Sequence, residues 1–308
     1  MKQAFIFPGQ ASQYVGMGRD LYETFDIARD VFDEANAIME MDLKKICFEG
    51  PEDLLKQTRI TQPAIFVHSI AVFKILESQN KLAHATAGHS LGEYSALVAA
   101  AALTFEDGLK LVKKRGELMQ EAGTQKPGTM AAIIGLNPEQ VDELCAGLEN
   151  EGVVQAANFN SPGQIAISGD VEVVRKAIVK AGEKGAMKAV ELVVSGAFHS
   201  PLMESAQTGL AEALRSTKFQ NAKVPVFSNV EAQPVQDKEA IRNLLLRQLT
   251  SPVLWQQSME NMIKAGFNVF YEIGPGKVLK GLLKRIDRSV SCREVGTVED
   301  INQLGELA

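Results

Sequence analysis

Residues Gly88-His89-Ser90-Leu91-Gly92 fit the pattern G-x-S-x-G. A serine framed in this way can sit on a sharp turn between a strand and a helix, with its hydroxyl exposed for attack. The pattern therefore ties the surrounding chain to an α/β arrangement. Its neighbours agree. Thr86-Ala87 would close a short strand, and GEYSALVAAAAL after Leu91 is alanine-rich and favours a helix. A nucleophile at a helix start also meets the positive end of the helix dipole, which favours developing negative charge.

A serine hydroxyl is a weak nucleophile until a base takes its proton. The chain has four histidines. His89 adjoins Ser90 on the tight turn, so its ring is expected to point elsewhere. His68 lies in the apolar helical run QPAIFVHSIAVFKIL and reads as a core or groove histidine ahead of a base. His84, near Lys81, reads as surface loop. His199 lies in VSGAFHSP, bounded by Gly and Pro, and loops of this kind often carry function. Position and elimination make His199 the candidate base. The acid of a triad does not show itself. An α/β-hydrolase runs Ser, then Asp or Glu, then a late His. Here 109 residues follow His199, which counts against an ordinary esterase.

The 308 residues suffice for one large core or two smaller ones. A net charge of −6 speaks against general nucleic-acid binding. Cys47, Cys145 and Cys292 lack metal-type spacing and fit reduced thiols in a cytosol. The apolar run in MKQAFIFPGQ is too short for a signal peptide, and the stretch near 96–103 too short to span a membrane. A cytoplasmic protein without bound metal or cofactor is expected, and a monomer by default.

Ala4–Phe7 reads as a buried strand ended by Pro8-Gly9, and residues 20–40 and 63–79 carry helical patterns. The rhythm changes near residue 126. Strands are expected at Thr129–Ile134, Val153–Phe159, Gln164–Ser168 and Ala186–Val194, with helices at Pro138–Leu148 and Val171–Glu183. That order is β-α-β-β-α-β, a ferredoxin-like signature. The expected fold is a larger α/β-hydrolase-like domain, 1–125 and 197–308, with a ferredoxin-like insert at 126–196. Further strands are expected near Val224–Ser228 and Asn268–Ile273.

Several stretches together resemble the malonyl-CoA:acyl-carrier-protein transacylases of bacterial fatty-acid synthesis. They are FPGQASQYVGMG, GHSLGEYSALV, KKRGELMQ, NFNSPGQIAISG, GAFHSPLM, RQLTSPVLW and EIGPGKVL. They follow the family's order over nearly the whole chain. The resemblance implies that Ser90 is acylated by malonyl-CoA and deacylated by holo acyl carrier protein, with His199 as base. It places Gln248 where a triad acid would stand, holding the imidazole through an oxygen acceptor. It gives the oxyanion hole to the backbone N–H groups of Gln10 and Leu91, and the malonyl carboxylate to Arg115. Ala197-Phe198-His199-Ser200 matches the malonyl form of the specificity motif, which adds Phe198 to the acyl pocket. No role follows for Thr250 or Ser251.

The residues themselves bear on two of these assignments. Phe105, Leu109, Val112, Gly116 and Met119 form one helical stripe, and at about 100° per residue Arg115 lies on its edge. Lys114 falls opposite and Lys113 roughly at right angles, so Arg115 alone should reach inward. An arginine snorkelling past the core edge is the alternative. Lys277, Lys280, Lys284 and Arg288 recur at helical spacing and would share one basic face for an acidic carrier; a solvated helix face reads equally well. Two other motifs read as ordinary structure. Gly274-Pro275-Gly276-Lys277 lacks the first glycine and the final Ser or Thr of a phosphate loop, and reads as a Gly/Pro loop opening a helix. The turn at 158–163 reads first as a hairpin turn, second as a border of the CoA cleft.

Three functions compete. An acyltransferase working through an acyl-serine leads. A serine thioesterase would share Ser90 and His199 but discharge the acyl group to water. A carrier-binding domain without catalysis would not need Ser90, His199, Gln10 and Arg115 intact.

Overall fold

The structure, a computed structural model, describes residues 2–305. Ten strands build two sheets: β1 (Lys2–Phe7), β2 (Ala85–Gly88), β3 (Gly128–Ile134), β4 (Val154–Ser161), β5 (Gln164–Asp170), β6 (Lys188–Glu191), β7 (Val226–Phe227), β8 (Pro234–Val235), β9 (Phe267–Ile273) and β10 (Ser291–Val295). The larger sheet runs β10-β9-β1-β2-β7-β8, parallel except for the β7–β8 pair. The smaller runs β4-β5-β3-β6 and is antiparallel throughout.

Both faces of the larger sheet are covered, so β1 reads as an unbroken apolar run. Side chains alternate between the two faces. Phe5 and Phe7 face a core that includes helix Thr58–Ser78, while Ala4 and Ile6 face helices Trp255–Lys264 and Val278–Ile286. Helix Thr58–Ser78 is long and apolar enough to cross a membrane by length and hydropathy alone, yet 89% of that window is buried in the protein. It, and not the 96–103 stretch, is the most span-like segment.

The smaller sheet alternates in the same way. Ala131, Ile133, Ile165 and Ile167 pack on Pro138–Ala146 and Val171–Glu183, while Met130, Ala157 and Ala166 join the large core. Two hydrogen bonds stitch β4 to the segment after Gln248: Phe159 N–H to the Val253 carbonyl at 2.9 Å, and Val253 N–H to the Ala157 carbonyl at 2.8 Å.

Several elements depart from expectation. The expected strand 186–194 shrinks to β6, and Val193 is 97% exposed. The alanine-rich helix stops at Ala99 instead of running through Leu103. Ala101 turns left-handed (φ 57°), and Ala102 and Ala101 bond back to the Leu97 and Val98 carbonyls. This Schellman closure outweighs alanine's helix preference. Strands β8 and β10 were not expected.

Candidate active site

The turn that carries Ser90 lies where β1, β2 and β7 end. Ligands bind open α/β sheets outside the carboxyl ends of the strands, where the chain's lateral progress reverses. Here β1 is flanked by β2 on one side and β9 on the other. The turn is tight enough to need its glycines. A Cβ on Gly88 would stand 1.9 Å from Gly92, one on Gly92 2.1 Å from the Phe7 carbonyl, and one on Gly9 2.5 Å from the His89 carbonyl. Ser90 itself is left-handed at φ 51°. That conformation costs a non-glycine residue about 1–3 kcal/mol and persists only where its surroundings impose it.

His199 reaches Ser90 from the loop after β6. Its Nε2 lies 2.8 Å from Ser90 Oγ, and its Nδ1 2.8 Å from the Gln248 carbonyl. A carbonyl only accepts, so Nδ1 carries the proton and Nε2 offers its lone pair to the serine hydroxyl. Burial, followed by the Arg115 guanidinium, pushes the imidazole down to about 3, against the pull of the Gln248 carbonyl. The ring is therefore neutral and able to accept a proton at ordinary pH. Gln155 Nε2 holds the His199 carbonyl at 2.8 Å. His89 turns away from Ser90 to Asn160 Oδ1, also at 2.8 Å.

Gln248 does orient the imidazole through oxygen, but the oxygen is its main-chain carbonyl. Its side chain is occupied elsewhere. Nε2 donates to Glu93 Oε2 at 2.6 Å and to the Ser90 carbonyl at 3.0 Å, while Oε1 accepts from Arg115 at 2.9 Å. The acceptor facing His199 Nδ1 is thus a main-chain carbonyl, which no side-chain pattern in the sequence marks.

Arg115 is 1% exposed, while Lys113 is half-buried and Lys114 exposed, as the helical stripe requires. Its guanidinium donates to Gln62 Oε1 (2.7 Å), Gln248 Oε1 (2.9 Å) and Ser90 Oγ (3.1 Å), and lies 5.6 Å from the Tyr94 ring centre. All three acceptors are neutral. Glu93 comes nearest to a counter-charge, one amide removed. Burial pushes its carboxyl up to about 7, opposed by hydrogen bonds from Gln248 and Asn229.

A cavity of about 560 Å³ opens over this cluster. Gln10, His89, Ser90, Phe198 and His199 line it from the large core, Met130, Asn158, Asn160 and Ala166 from the small sheet, and Val278 and Leu282 from helix Val278–Ile286. The asparagines after residue 157 thus belong to the cleft, and the hairpin turn narrows to Pro162-Gly163. Leu91 is buried beside Ser90. Among the described residues, the main-chain N–H groups of Gln10 and Leu91 donate to nothing.

The basic row does not form the expected face. The helix spans Val278–Ile286, so Lys277 is its N-cap and Arg288 lies past its end. Lys280 is paired with Glu294 of β10. The side of this helix toward the cleft carries Val278, Leu282 and Arg285, the last bonded to Gln164 at 2.8 Å. The sequence reading also missed Gln62, Glu93 and Asn229. Gln62 and Glu93 did leave a signal: each is a polar residue within an apolar helical stretch.

The family profile described as acyl transferase domain matches residues 4–304. The malonyl CoA-acyl carrier protein transacylase of Bacillus subtilis strain 168 is 46% identical over 301 residues, 97% of this chain and 95% of that one. This chain belongs to the malonyl CoA-acyl carrier protein transacylase family. Two solved members superpose closely. The acyl-carrier-protein S-malonyltransferase of Bartonella henselae has a TM-score of 0.96 at 42% identity, covering 100% of this chain and 99% of its own. A malonyl-transacylase in complex with its type II PKS acyl-carrier protein has a TM-score of 0.97 at 39% identity, covering both chains fully. The transacylases are acyltransferases, so this chain is an enzyme of that class.

Proposed function

We propose that this enzyme moves the malonyl group from malonyl-CoA to the phosphopantetheine thiol of an acyl carrier protein, for fatty-acid elongation. The observation that carries the reading is Arg115: a buried cation with only neutral acceptors, 3.1 Å from the nucleophile. Such a site is short of one negative charge, and a malonyl carboxylate supplies it with two parallel hydrogen bonds.

The reaction runs in two halves. Ser90 Oγ attacks the thioester carbonyl as its proton passes to His199 Nε2. The tetrahedral oxygen is received by the N–H groups of Gln10 and Leu91. The C–S bond breaks, and coenzyme A leaves with the proton from His199. The carrier thiol then gives its proton to His199 and attacks the malonyl-serine, and Ser90 departs reprotonated. Binding of the two thiols in turn gives ping-pong kinetics. Phe198 walls the acyl pocket. The Gln248 carbonyl holds the imidazole through both halves. All of these groups come from one chain, so a monomer suffices.

Residues 126–196 read as a ferredoxin-like insert in an α/β-hydrolase-like domain made of 1–125 and 197–308. The order β4-β5-β3-β6, with both helices on one face, supports this. For carrier docking the reading shifts from the row Lys277, Lys280, Lys284 and Arg288 to Arg285, which is exposed and bonded to Gln164 at the cleft.

Intact-mass measurement tests the whole scheme. Malonyl-CoA should add one malonyl group, holo carrier should remove it, and Ser90→Ala should never acquire it. Removal by water at the same rate as by the carrier would make the enzyme a thioesterase instead.

A further inference from the structure

Asn229 follows β7, fully buried, and does not line the cavity. It nevertheless grips the nucleophile turn. Its Oδ1 accepts the Ser90 N–H at 2.7 Å, and its Nδ2 donates to the Gly88 carbonyl at 2.6 Å. Its own main chain is fixed as well. The N–H donates to Glu93 Oε2 at 3.2 Å, and the carbonyl accepts from Leu254 N–H at 2.9 Å. Glu93 is in turn held by Gln248 at 2.6 Å.

The two groups that Asn229 holds belong to the two peptide units immediately before Ser90. Both planes flanking His89 are thereby fixed, and the Ser90 amide is the platform from which the residue turns left-handed at φ 51°. That platform carries two things: the side chain bearing Oγ and, through the Ser90 φ and ψ, the following peptide unit, whose N–H belongs to Leu91. Ser90 N–H is consumed by Asn229, while Leu91 N–H donates to nothing among the described residues. A single amide side chain thus separates the structural N–H from the free one.

We propose that Asn229 is a positioning residue for acyl transfer: by bonding Ser90 N–H and the Gly88 carbonyl together, it fixes the directions of the serine hydroxyl and the Leu91 N–H. The chemistry demands an amide. Aspartate has the shape and the acceptor but, ionised, no donor for Gly88. Alanine has neither. The inference rests on Ser90 as nucleophile, and not on the identity of the acyl group.

The test compares wild type with Asn229→Asp and Asn229→Ala, each below its own melting temperature. Three rates are read: acylation by malonyl-CoA, acylation by acetyl-CoA, and phosphonylation by a fluorophosphonate. In the last, Oγ bonds phosphorus, fluoride leaves and His199 takes the proton. Loss of an oxyanion donor lowers such rates by roughly a hundredfold to a thousandfold, and misaiming one by less. All three should fall together by at least about tenfold, with KM for malonyl-CoA and the malonyl-to-acetyl ratio little changed. In wild type, Ser90 N–H should exchange with solvent deuterium slowly and Leu91 N–H fast. A folded variant within twofold of wild type in all three rates overturns the proposal. So does a loss confined to KM, or equal exchange at the two amides. If alanine does not fold, the aspartate variant and the exchange pattern decide. If wild type takes the fluorophosphonate but not malonyl-CoA, the malonyl reading fails, and the phosphonylation rates still judge Asn229.

Discussion

Among the described residues, Arg115 makes three hydrogen bonds and no ion pair. A charged hydrogen bond contributes roughly 1.5–3 kcal/mol, so Arg115→Ala should lower kcat/KM for malonyl-CoA by about tenfold to a hundredfold or more. Acetyl-CoA has no carboxylate to lose, so its rate should fall less, and the malonyl-to-acetyl ratio should shrink. Equal loss for both substrates would make Arg115 structural. Arg115→Lys should not restore the ratio, because an ammonium cannot reproduce the paired geometry. His199 is separable from its site partners by a different measurement. Removing a general base costs about 10²–10⁴-fold. His199→Ala should therefore slow malonyl-serine formation by that order in single-turnover assays, while His84→Ala, on the exposed loop, leaves it unchanged. Ser90, His199 and Arg115 were legible because each stands in a local pattern: a glycine-framed turn, a bounded loop, the edge of a helical stripe. Asn229 was not. It meets Ser90 across 139 residues, and nothing near it in the chain records that meeting.

At the scale of elements, helix Val278–Ile286 shows how spacing alone can mislead. Lys280 and Lys284 do sit one turn apart, but the helix is too short to include Lys277 or Arg288, and Glu294 claims Lys280. Arg285 is the exposed cation on the cleft side. Arg285→Glu should raise KM for the carrier severalfold at low salt, with the effect fading as salt rises, and should leave acylation by malonyl-CoA intact. A carrier KM that does not move would remove this helix from the docking surface. The elements read well had strong local signals: the unbroken apolar run of β1, strands β3 to β5, and helix Val171–Glu183 with its helical spacing of apolar residues. Those missed have weak signals for a physical reason. Strand β10 lies at the sheet edge and alternates exposed with half-buried residues (Ser291, Cys292, Arg293, Glu294), so it never reads as an apolar run. Strand β8 is only two residues long.

For the molecule as a whole, acid stability follows from buried histidines. His68 is fully buried, with no well-formed hydrogen bond to either ring nitrogen among the described residues, and burial pushes it down to about 4, against the pull of Asp20, the Gly296 backbone and Asp300. Its native pKa is below the unfolded value near 6.5. Between those values the unfolded chain binds a proton that the native state does not, so stability falls as pH falls through the window, by about 1.4 kcal/mol per pH unit per group. His68→Leu, which removes the buried titrating ring, should flatten the drop in Tm from pH 6.5 to 4.5 and preserve activity. A drop as steep as in wild type would place the acid sensitivity elsewhere. The left-handed turn at Ser90 reaches further than catalysis. Ser90→Gly and Ser90→Ala both lose the hydroxyl, but only glycine is at ease at φ 51°. Glycine should therefore leave the dead enzyme sturdier than alanine does, by about 1 kcal/mol, read as a higher Tm. Mutational drift filtered only for stability would run downhill from serine to glycine at this codon; only a demand for turnover opposes it.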